Sequence, residues 1–328
     1  MNLYKSLIFI LYLGIFLGSG FRTPAQSRDS ITLYGTLDTV QVIRQRIQHA
    51  NEANAGARVT HISPAILQAN KTRSLAELLT DHTSIYIKSL GTGALSTASF
   101  RGTSASQTRV NWNGINITPP LSGTFDFSQI PVFFTDNINL YYGSSHVKNG
   151  TGAIGGSVNL FTDTDWNRGV NGRVLAEYGS YNTYTVGGQA NISGNKSASK
   201  TRLYYQHSDD YTYLNKVLTN IPFREKRQDA AYSQFGIMQE GYFRVSPYTR
   251  LTAVAWYQKN HRNLPQPLGV VNRSQEDQEE NNFRGYAGLD FSRGIHELHV
   301  KAAWLYFCQT YDIRYDGGLF DPKGNKNR

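Results

Sequence analysis

The sequence has little that would support catalysis or a helical membrane protein. Cysteine occurs once in 328 residues, at Cys308, so the chain can form no internal disulfide. No Ser/His/Asp set, zinc-ligand spacing or isolated carboxylate pair stands out, so we expect neither an enzyme nor a bound metal or cofactor. Past residue 21 no apolar run reaches the roughly 20 residues that a spanning helix needs. If the chain crosses a membrane, it does so with strands.

Aromatic and turn-forming residues are what the sequence has in excess. It contains 21 Tyr, 16 Phe and 30 Gly but only 2 Met, a composition that favours strands and turns over helices. The formal net charge is +9. Because the Lys and Arg residues are scattered and no nucleic-acid motif accompanies them, we expect no nucleic-acid partner.

The N-terminus predicts export. Lys5 supplies a positive start, residues 7–17 form an apolar core, and Thr23-Pro-Ala25 is a suitable cleavage site. This is the three-part layout of a secretory signal peptide, which we place at residues 1–25. The alternative is a transmembrane anchor, for which the apolar run is too short.

Composition divides the rest of the chain into three parts. Residues 26–60 are polar and low in aromatics, as expected of a flexible leader. Residues 61–165 mix helix and strand signals and form an α+β domain of ordinary size. Within it, a capping box from Ser74 to Glu77 opens a short helix with an apolar face. Brief strands are predicted at 85–87, 109–112 and 137–142.

The third part, residues 166–328, has the pattern of membrane-spanning strands. Apolar and polar residues alternate over segments that suit tilted strands of about 9–11 residues. These segments lie at 172–178, 183–193, 200–208, 232–246, 249–260, 283–292 and 297–308. Short turns alternate with longer polar loops, as in outer-membrane barrels, although a soluble β-sandwich shows the same period. The predicted fold is an α+β domain followed by antiparallel transmembrane β-barrel strands.

One glycine motif raises the question of a nucleotide site. Gly150-Thr-Gly-Ala-Ile-Gly155 satisfies the spacing of the dinucleotide fingerprint. That fingerprint requires a helix after the glycines, whose N-terminus holds the pyrophosphate. Residues 156–161 instead have the pattern of a strand, so we do not expect dinucleotide binding.

Acidic residues raise the question of a calcium site. The run from Glu276 to Glu280 and the pair Asp209-Asp210 fall in segments that we predict to be external loops. Carboxylates of this kind bind calcium when their spacing is regular. Since no such spacing is present, solvated loop charge is the favoured interpretation.

Residues 142–160 are similar to the end of the plug domain of TonB-dependent receptors, where a Gly-Ala-Ile-Gly-Gly run leads through Val-Asn to the barrel. The first helix, an Arg-Gly motif and the segment 128–131 also occur in the family's order. This chain has Asn113-Gly where many plugs carry Asp-Gly, and Tyr142 where many carry an arginine. The plug-motif positions are Arg101, Gly102, Asn113, Gly114, Gly143, Gly152, Gly155 and Gly156.

The resemblance implies a receptor in the outer membrane of a Gram-negative bacterium. Its expected cargo is a metal chelate, cobalamin or a ferric siderophore, and its expected partner is TonB with the inner-membrane energy-coupling complex. A segment ahead of the plug resembles a TonB box, an extended stretch that can add as a strand to a partner's sheet. A plain first strand is the alternative for this segment. It comprises Leu37, Asp38, Thr39, Val40, Gln41 and Val42.

The strand count bears on the barrel. Barrels of plugged transporters have about 22 strands, so the segments found in residues 166–328 predict a truncated barrel. The alternative function is a secreted or surface-exposed β-rich binding or adhesion protein. A passive porin is disfavoured, because a porin needs no domain of about a hundred residues ahead of its strands.

Overall fold

The computed structural model describes residues 58–120, 122–143, 153–215, 223–265, 274–315 and 326–327. The predicted signal peptide, the TonB-box-like segment Leu37–Val42 and Gly152 of the plug motif lie outside these residues. Within the described part of the chain, no helix is both long enough and apolar enough to cross a membrane.

The first domain combines two helices with a small mixed sheet. Its helices are α1 (Pro64–Ala69) and α2 (Leu75–His82). Its strands are β1 (Arg58–His61), β2 (Tyr86–Ser89), β3 (Ser96–Ser99), β4 (Thr108–Trp112), β5 (Ile115–Asn116), β6 (Asn137–Tyr142) and β7 (Gly156–Phe161). The sheet has the order β1-β6-β7-β4-β5, in which only β4 and β7 pair in parallel, and β2 and β3 form a separate hairpin.

Local sequence signals account for both helices. The predicted capping box is confirmed, because the Ser74 hydroxyl accepts from the Glu77 N–H and the Glu77 carboxylate accepts from the Ser74 N–H. Helix α1 was not predicted from the sequence, although Ser63 caps it and Pro64 occupies its first turn. Strand β1 begins inside the predicted leader and pairs with β6 over its whole length.

The second part of the chain is a long antiparallel sheet, here called the wall. Its strands are β8 (Gly169–Gly179), β9 (Thr183–Ser193), β10 (Ser197–Ser208), β13 (Tyr232–Ser246), β14 (Thr249–Asn263), β15 (Ser274–Arg293), β16 (His296–Tyr315) and β17 (Lys326–Asn327). Strands β11 (Thr212–Asn215) and β12 (Phe223–Lys226) form a hairpin outside it. In the described residues the wall is open, with β8 and β17 as its two edges.

The two ends of the wall differ. At the turn end, tight connections join the strands, at residues 194–196, 247–248 and 294–295. At the loop end, the connections after β10 and β14 span residues 209–231 and 264–273. This is the asymmetry expected of an outer-membrane barrel.

Side-chain direction in the wall decides between a barrel and a sandwich. Along β13, Met238 and Tyr242 face inward and are buried, while Phe235 and Ile237 face outward and are exposed. The outward face is apolar in other strands too, and Trp304 is 68% exposed. A soluble sandwich would bury its apolar face, so the exposed apolar face confirms the predicted barrel-type architecture.

The predicted loop position of the acidic run is wrong. Strand β15 starts at Ser274, not at residue 283, so Glu276–Glu280 lie on the strand. Lys259 of β14 pairs with Glu279 at 3.0 Å, and Arg314 of β16 pairs with Asp277. A 20-residue strand is about 65 Å long, far more than a bilayer crossing needs. The polar residues Glu276–Glu280 therefore lie in the part of β15 that extends beyond the hydrocarbon core of the bilayer.

Candidate functional site

Most of the plug-motif positions converge at one end of the first domain's sheet. Arg101 and Gly102 form a turn with φ of 49° and 78°. Gly143 has a φ of 92°, and its N–H donates to the Gly155 carbonyl at 2.9 Å. The ideal Cβ position of Gly143 lies 3.9 Å from an Arg101 guanidinium nitrogen, which places the turn beside the glycine.

The last two glycines of the motif are required by close packing. A Cβ on Gly155 would lie 2.0 Å from the Thr103 hydroxyl oxygen. A Cβ on Gly156 would lie 2.6 Å from both the Phe100 ring and the Tyr141 carbonyl oxygen. Since real Cβ atoms do not approach other atoms so closely, the glycines let β7 enter the sheet beside the Arg101 turn.

The remaining motif pair lies at the opposite end of the sheet. Asn113 and Gly114 form a turn with φ of 50° and 83°. The Asn113 side chain exchanges two hydrogen bonds with Thr162, each 2.9 Å long. The Asn113 carbonyl accepts from Lys301 of the wall at 2.7 Å. This turn therefore contacts the wall, and in the described residues it stands apart from the Arg101 cluster.

The Gly156→Ala variant tests the packing account of the motif. We expect it to lower the free energy of unfolding by about 1–3 kcal/mol, because the new methyl group must displace Phe100 or the backbone of Tyr141. Denaturant titration of the purified protein measures this change. Gly188→Ala is the matched control, since nothing lies within 4 Å of its Cβ position. Equal stability of the two variants would contradict the account.

Aromatic side chains join the first domain to the inner face of the wall. Trp112 packs on Trp256 and on Tyr286, with ring centroids 5.4 Å and 5.3 Å apart. Phe134 packs on the same Trp256 at 5.3 Å and also contacts Tyr204. Such pairs contribute about 0.5–1.5 kcal/mol each beyond area burial. The sequence reasoning missed this contact, although inward Trp and Tyr residues at period two could have indicated it.

Inward-facing amides of the wall hold a second segment of the first domain. Gln234 donates to the Ser128 carbonyl at 3.0 Å, and Gln258 donates to the Gln129 carbonyl. Asn260 donates to the Gln129 side-chain oxygen at 3.1 Å. These bonds satisfy buried polar groups on both sides of the contact.

A buried group of charges forms the third contact, and we call it the latch. Asp136, just before β6, accepts from Arg202 and from Lys200 of the wall, the latter at 3.0 Å. Glu240 lies 3.6 Å from Arg202 and 3.9 Å from Lys200. Arg202 and Glu240 are fully buried. Burial alone would raise the pKa of Asp136, but Arg202 and Lys200 outweigh it and hold that pKa below its usual range.

Lys71 adds a further cation inside the first domain. Its ammonium group donates to the carbonyls of Val132 and Thr135. Burial lowers the pKa of Lys71 to about 8. The lysine fastens the turn that leads to Asp136, so it supports the latch from the first domain's side.

A cavity of about 270 Å³ lies between the first domain and the inner face of the wall, toward the loop end. Residues of the first domain and of β14, β15 and β16 line it, among them Pro119, Phe125, Asp126, Arg262, Arg284 and Phe307. The lining mixes rings with charged groups, the combination that binds and orients small molecules. No cluster of metal-binding side chains occurs in the described residues. Sequence reasoning missed the cavity, because its residues come from distant parts of the chain.

Comparison with known proteins identifies the first domain. Residues 51–157 match the family model described as the TonB-dependent Receptor Plug Domain. The first domain is a TonB-dependent receptor plug. The resemblance seen in the plug-motif residues is thereby confirmed.

Curated relatives extend the similarity beyond the plug. The chain is 25% identical over 224 residues to the vitamin B12 transporter BtuB of Photobacterium profundum, covering 68% of this chain and 36% of that protein. It is 32% identical over 126 residues to BtuB of Vibrio cholerae, covering 38% of this chain and 20% of that protein. The chain thus spans about a third of the length of the first of these relatives.

Solved structures show the same fold. The siderophore receptor PiuA from Acinetobacter baumannii superposes with a TM-score of 0.58 at 18% identity, covering 79% of this chain and 37% of that one. The alcaligin outer membrane receptor FauA from Bordetella pertussis gives 0.57 at 15% identity, covering 79% and 39%. The plug and wall together have the fold of these TonB-dependent outer-membrane receptors.

Proposed function

We propose that this protein takes part in TonB-dependent import of a scarce metal chelate across the outer membrane. The observation that carries the proposal is the plug seated on the inner face of the wall, with a cavity between them toward the loop end. A chelate entering from the loop side would meet this cavity before it met the plug sheet. Cobalamin and ferric siderophores are the candidate cargoes. The relatives similar in sequence are named as vitamin B12 transporters, which favours cobalamin.

The proposed energy input acts through the TonB-box-like segment at residues 37–42. TonB would pair with this extended segment and pull on the chain that leads to the plug. The first described element on that path is β1, which among the described residues is an edge strand paired with β6. Strand β6 follows directly after Asp136, so the pull would bear on the latch. Release of the plug from the wall is the step that the proposal assigns to this force.

The glycines and arginine of the plug motif have a structural part in the proposal. The turn at Arg101 and the close packing at Gly156 fix how β7 enters the plug sheet. Asn113 fixes the opposite end of the sheet against Lys301. We propose that these positions keep the plug a rigid body, so that force applied at β1 reaches the latch.

An uptake assay tests the proposal. The protein is produced in a Gram-negative host that lacks its own cobalamin and siderophore receptors, and accumulation of radiolabelled cyanocobalamin and of a ferric siderophore is measured. We expect accumulation of at least one of them above the empty-vector level in a host with TonB, and none above that level in a host without TonB. Equal accumulation in the two hosts would contradict the proposal.

The alternative of a secreted or surface adhesion protein predicts a different behaviour in detergent. Such a protein would be recovered without membranes and would migrate equally in heated and unheated samples. The exposed apolar face of the wall, including Val174 at 82% exposure, argues against it. We expect recovery from the outer-membrane fraction and heat-modifiable migration.

A further inference from the structure

Two guanidinium groups line the cavity between plug and wall, and they are paired differently. Arg262 is fully engaged, since it donates to Asp126 at 2.6 Å and twice to the Gln278 side-chain oxygen, at 3.1 Å and 2.9 Å. Its charge is balanced by a carboxylate of the plug. Arg262 therefore joins the plug to the wall, and its charge is already neutralised before a ligand enters the cavity.

Arg284 lacks such a partner. It is 3% exposed, and among the described residues no carboxylate lies within 4.0 Å of it, although the Glu280 carboxylate acts on it electrostatically from farther away. One Nη donates to the Gln258 side-chain oxygen at 3.1 Å, while Nε has no hydrogen-bond partner. The guanidinium carbon lies 4.4 Å from the centre of the Trp256 ring. A buried charge with no anion in direct contact is costly, so a site that retains one is suited to receive an anion.

The cavity is also polarised along the strand. Glu280 lies on the same face of β15 as Arg284 and four residues nearer the loop end, about 13 Å along the strand. Its carboxylate is half-buried and accepts from Gln278 at 2.5 Å. An anionic group entering the cavity is repelled at Glu280 and attracted at Arg284. Rings of Phe125 and Phe307 line the space for the apolar part of a ligand.

We infer that Arg284 binds an anionic oxygen group of the imported chelate, and that Glu280 orients the chelate by repelling this group from the outer part of the cavity. The inference rests on the proposed import function. It adds that one part of the ligand is negatively charged, a property that the proposed import function does not specify. The anionic oxygens can belong to a phosphodiester or to the metal-binding groups of a ferric chelate, and these two sources are separated by experiment.

Three probes of different charge test the inference by equilibrium binding to the intact protein in outer-membrane preparations. Cyanocobalamin carries a phosphodiester, a ferric tricatecholate carries a net charge of about −3 spread over its oxygens by the charge count of its ligands, and a ferric trihydroxamate is uncharged. The variants are Arg284→Gln and Glu280→Gln. Arg250→Gln is the charge-matched control, since Arg250 pairs with Asp290 at the turn end, away from the cavity.

For an anionic probe that the unmodified protein binds, Arg284→Gln is expected to raise Kd about 10- to 100-fold, the effect of losing a hydrogen bond to a charged group. Glu280→Gln is expected to lower Kd by about 2- to 5-fold, since a like charge is removed from the entry path. The control leaves Kd within about twofold, as for charges that the solvent screens. A purely structural role for Arg284 would weaken binding of charged and uncharged probes equally.

The Arg284→Lys variant is the control for a folding defect in Arg284→Gln. It keeps the charge but loses the planar fork, so part of the affinity is expected to return. Unchanged heat-modifiable migration shows that each variant is folded. An unchanged Kd in both Arg284 variants, or equal weakening of charged and uncharged probes, overturns the inference. Binding of the uncharged probe alone overturns the inference and leaves import standing, whereas binding of none of the probes counts against both.

Discussion

Deletion of residues 37–42 is expected to abolish accumulation of the imported chelate while leaving its binding at the cell surface intact. The cavity residues, among them Arg262 and Arg284, lie far along the chain from this segment, and the described hydrogen bonds of these two arginines are made to residues of the plug and the wall. In the proposed mechanism TonB pairs with this segment, so its deletion is expected to leave the plug without applied force. Binding at 0 °C and accumulation at 37 °C separate the two steps.

A second deletion of the same length provides the control. Residues 45–50 belong to the same predicted leader but lie outside the TonB-box-like segment. Removing them shortens the tether equally, and accumulation is expected to remain near the unmodified level. Accumulation that survives deletion of residues 37–42 would refute coupling through this segment. Loss of accumulation in both deletions would show that tether length, not the segment, is what matters.

The Asp136→Asn variant is expected to weaken docking of the plug on the wall by about 3–5 kcal/mol, the cost of breaking a buried ion pair by removing one partner. Arg202 would be left buried, with Glu240 at 3.6 Å as its nearest anion. Denaturant titration followed by fluorescence of Trp112 and Trp256, whose rings pack against each other across the contact, measures the loss.

Asp165→Asn is the matched control for this substitution. Asp165 pairs with Arg168 at 3.2 Å, and both side chains are more than 60% exposed. Exposed pairs of this kind contribute little to stability, so no measurable change is expected. If Asp136→Asn were as stable as this control, the latch would not hold the plug.

The latch also predicts a pH dependence. The pKa of Asp136 lies below its ordinary value of 3.8 in the folded protein. Its contribution to stability is therefore fully present above that ordinary pKa and is lost as the pH falls below it. The difference in unfolding free energy between the unmodified protein and Asp136→Asn should shrink below about pH 4. A difference that stays constant down to pH 2 would contradict the assignment.

Strand positions could be predicted where one face of the strand is apolar. The bounds predicted for residues 183–193 and 232–246 match β9 and β13, because alternation persists to the ends of both strands. Strand β15 was predicted to start nine residues too late, because its outer half is polar on both faces and is held by ladder bonds and cross-strand ion pairs. The alternation of apolar and polar residues therefore predicts the part of a strand that crosses the membrane, but not the part that extends beyond it.

The candidate site was less predictable than the fold. The motif glycines could be predicted from the sequence, because a position as closely packed as Gly156 has no room for a larger residue. The latch and the cavity join side chains more than 60 residues apart, such as Asp136 with Arg202 and Asp126 with Arg262. No local pattern encodes these pairs. The one available signal was a charged residue at an inward position of a strand, as at Arg284 beside Gly285.

Dependence of accumulation on the proton-motive force tests the central claim most directly. Cells producing the protein are loaded with radiolabelled chelate, with and without a protonophore, and surface-bound and accumulated label are measured in the same samples. Energised import predicts that the protonophore leaves surface binding unchanged and reduces accumulation to the empty-vector level. Accumulation that continues unchanged with the protonophore present would contradict the claim that the plug is moved by TonB.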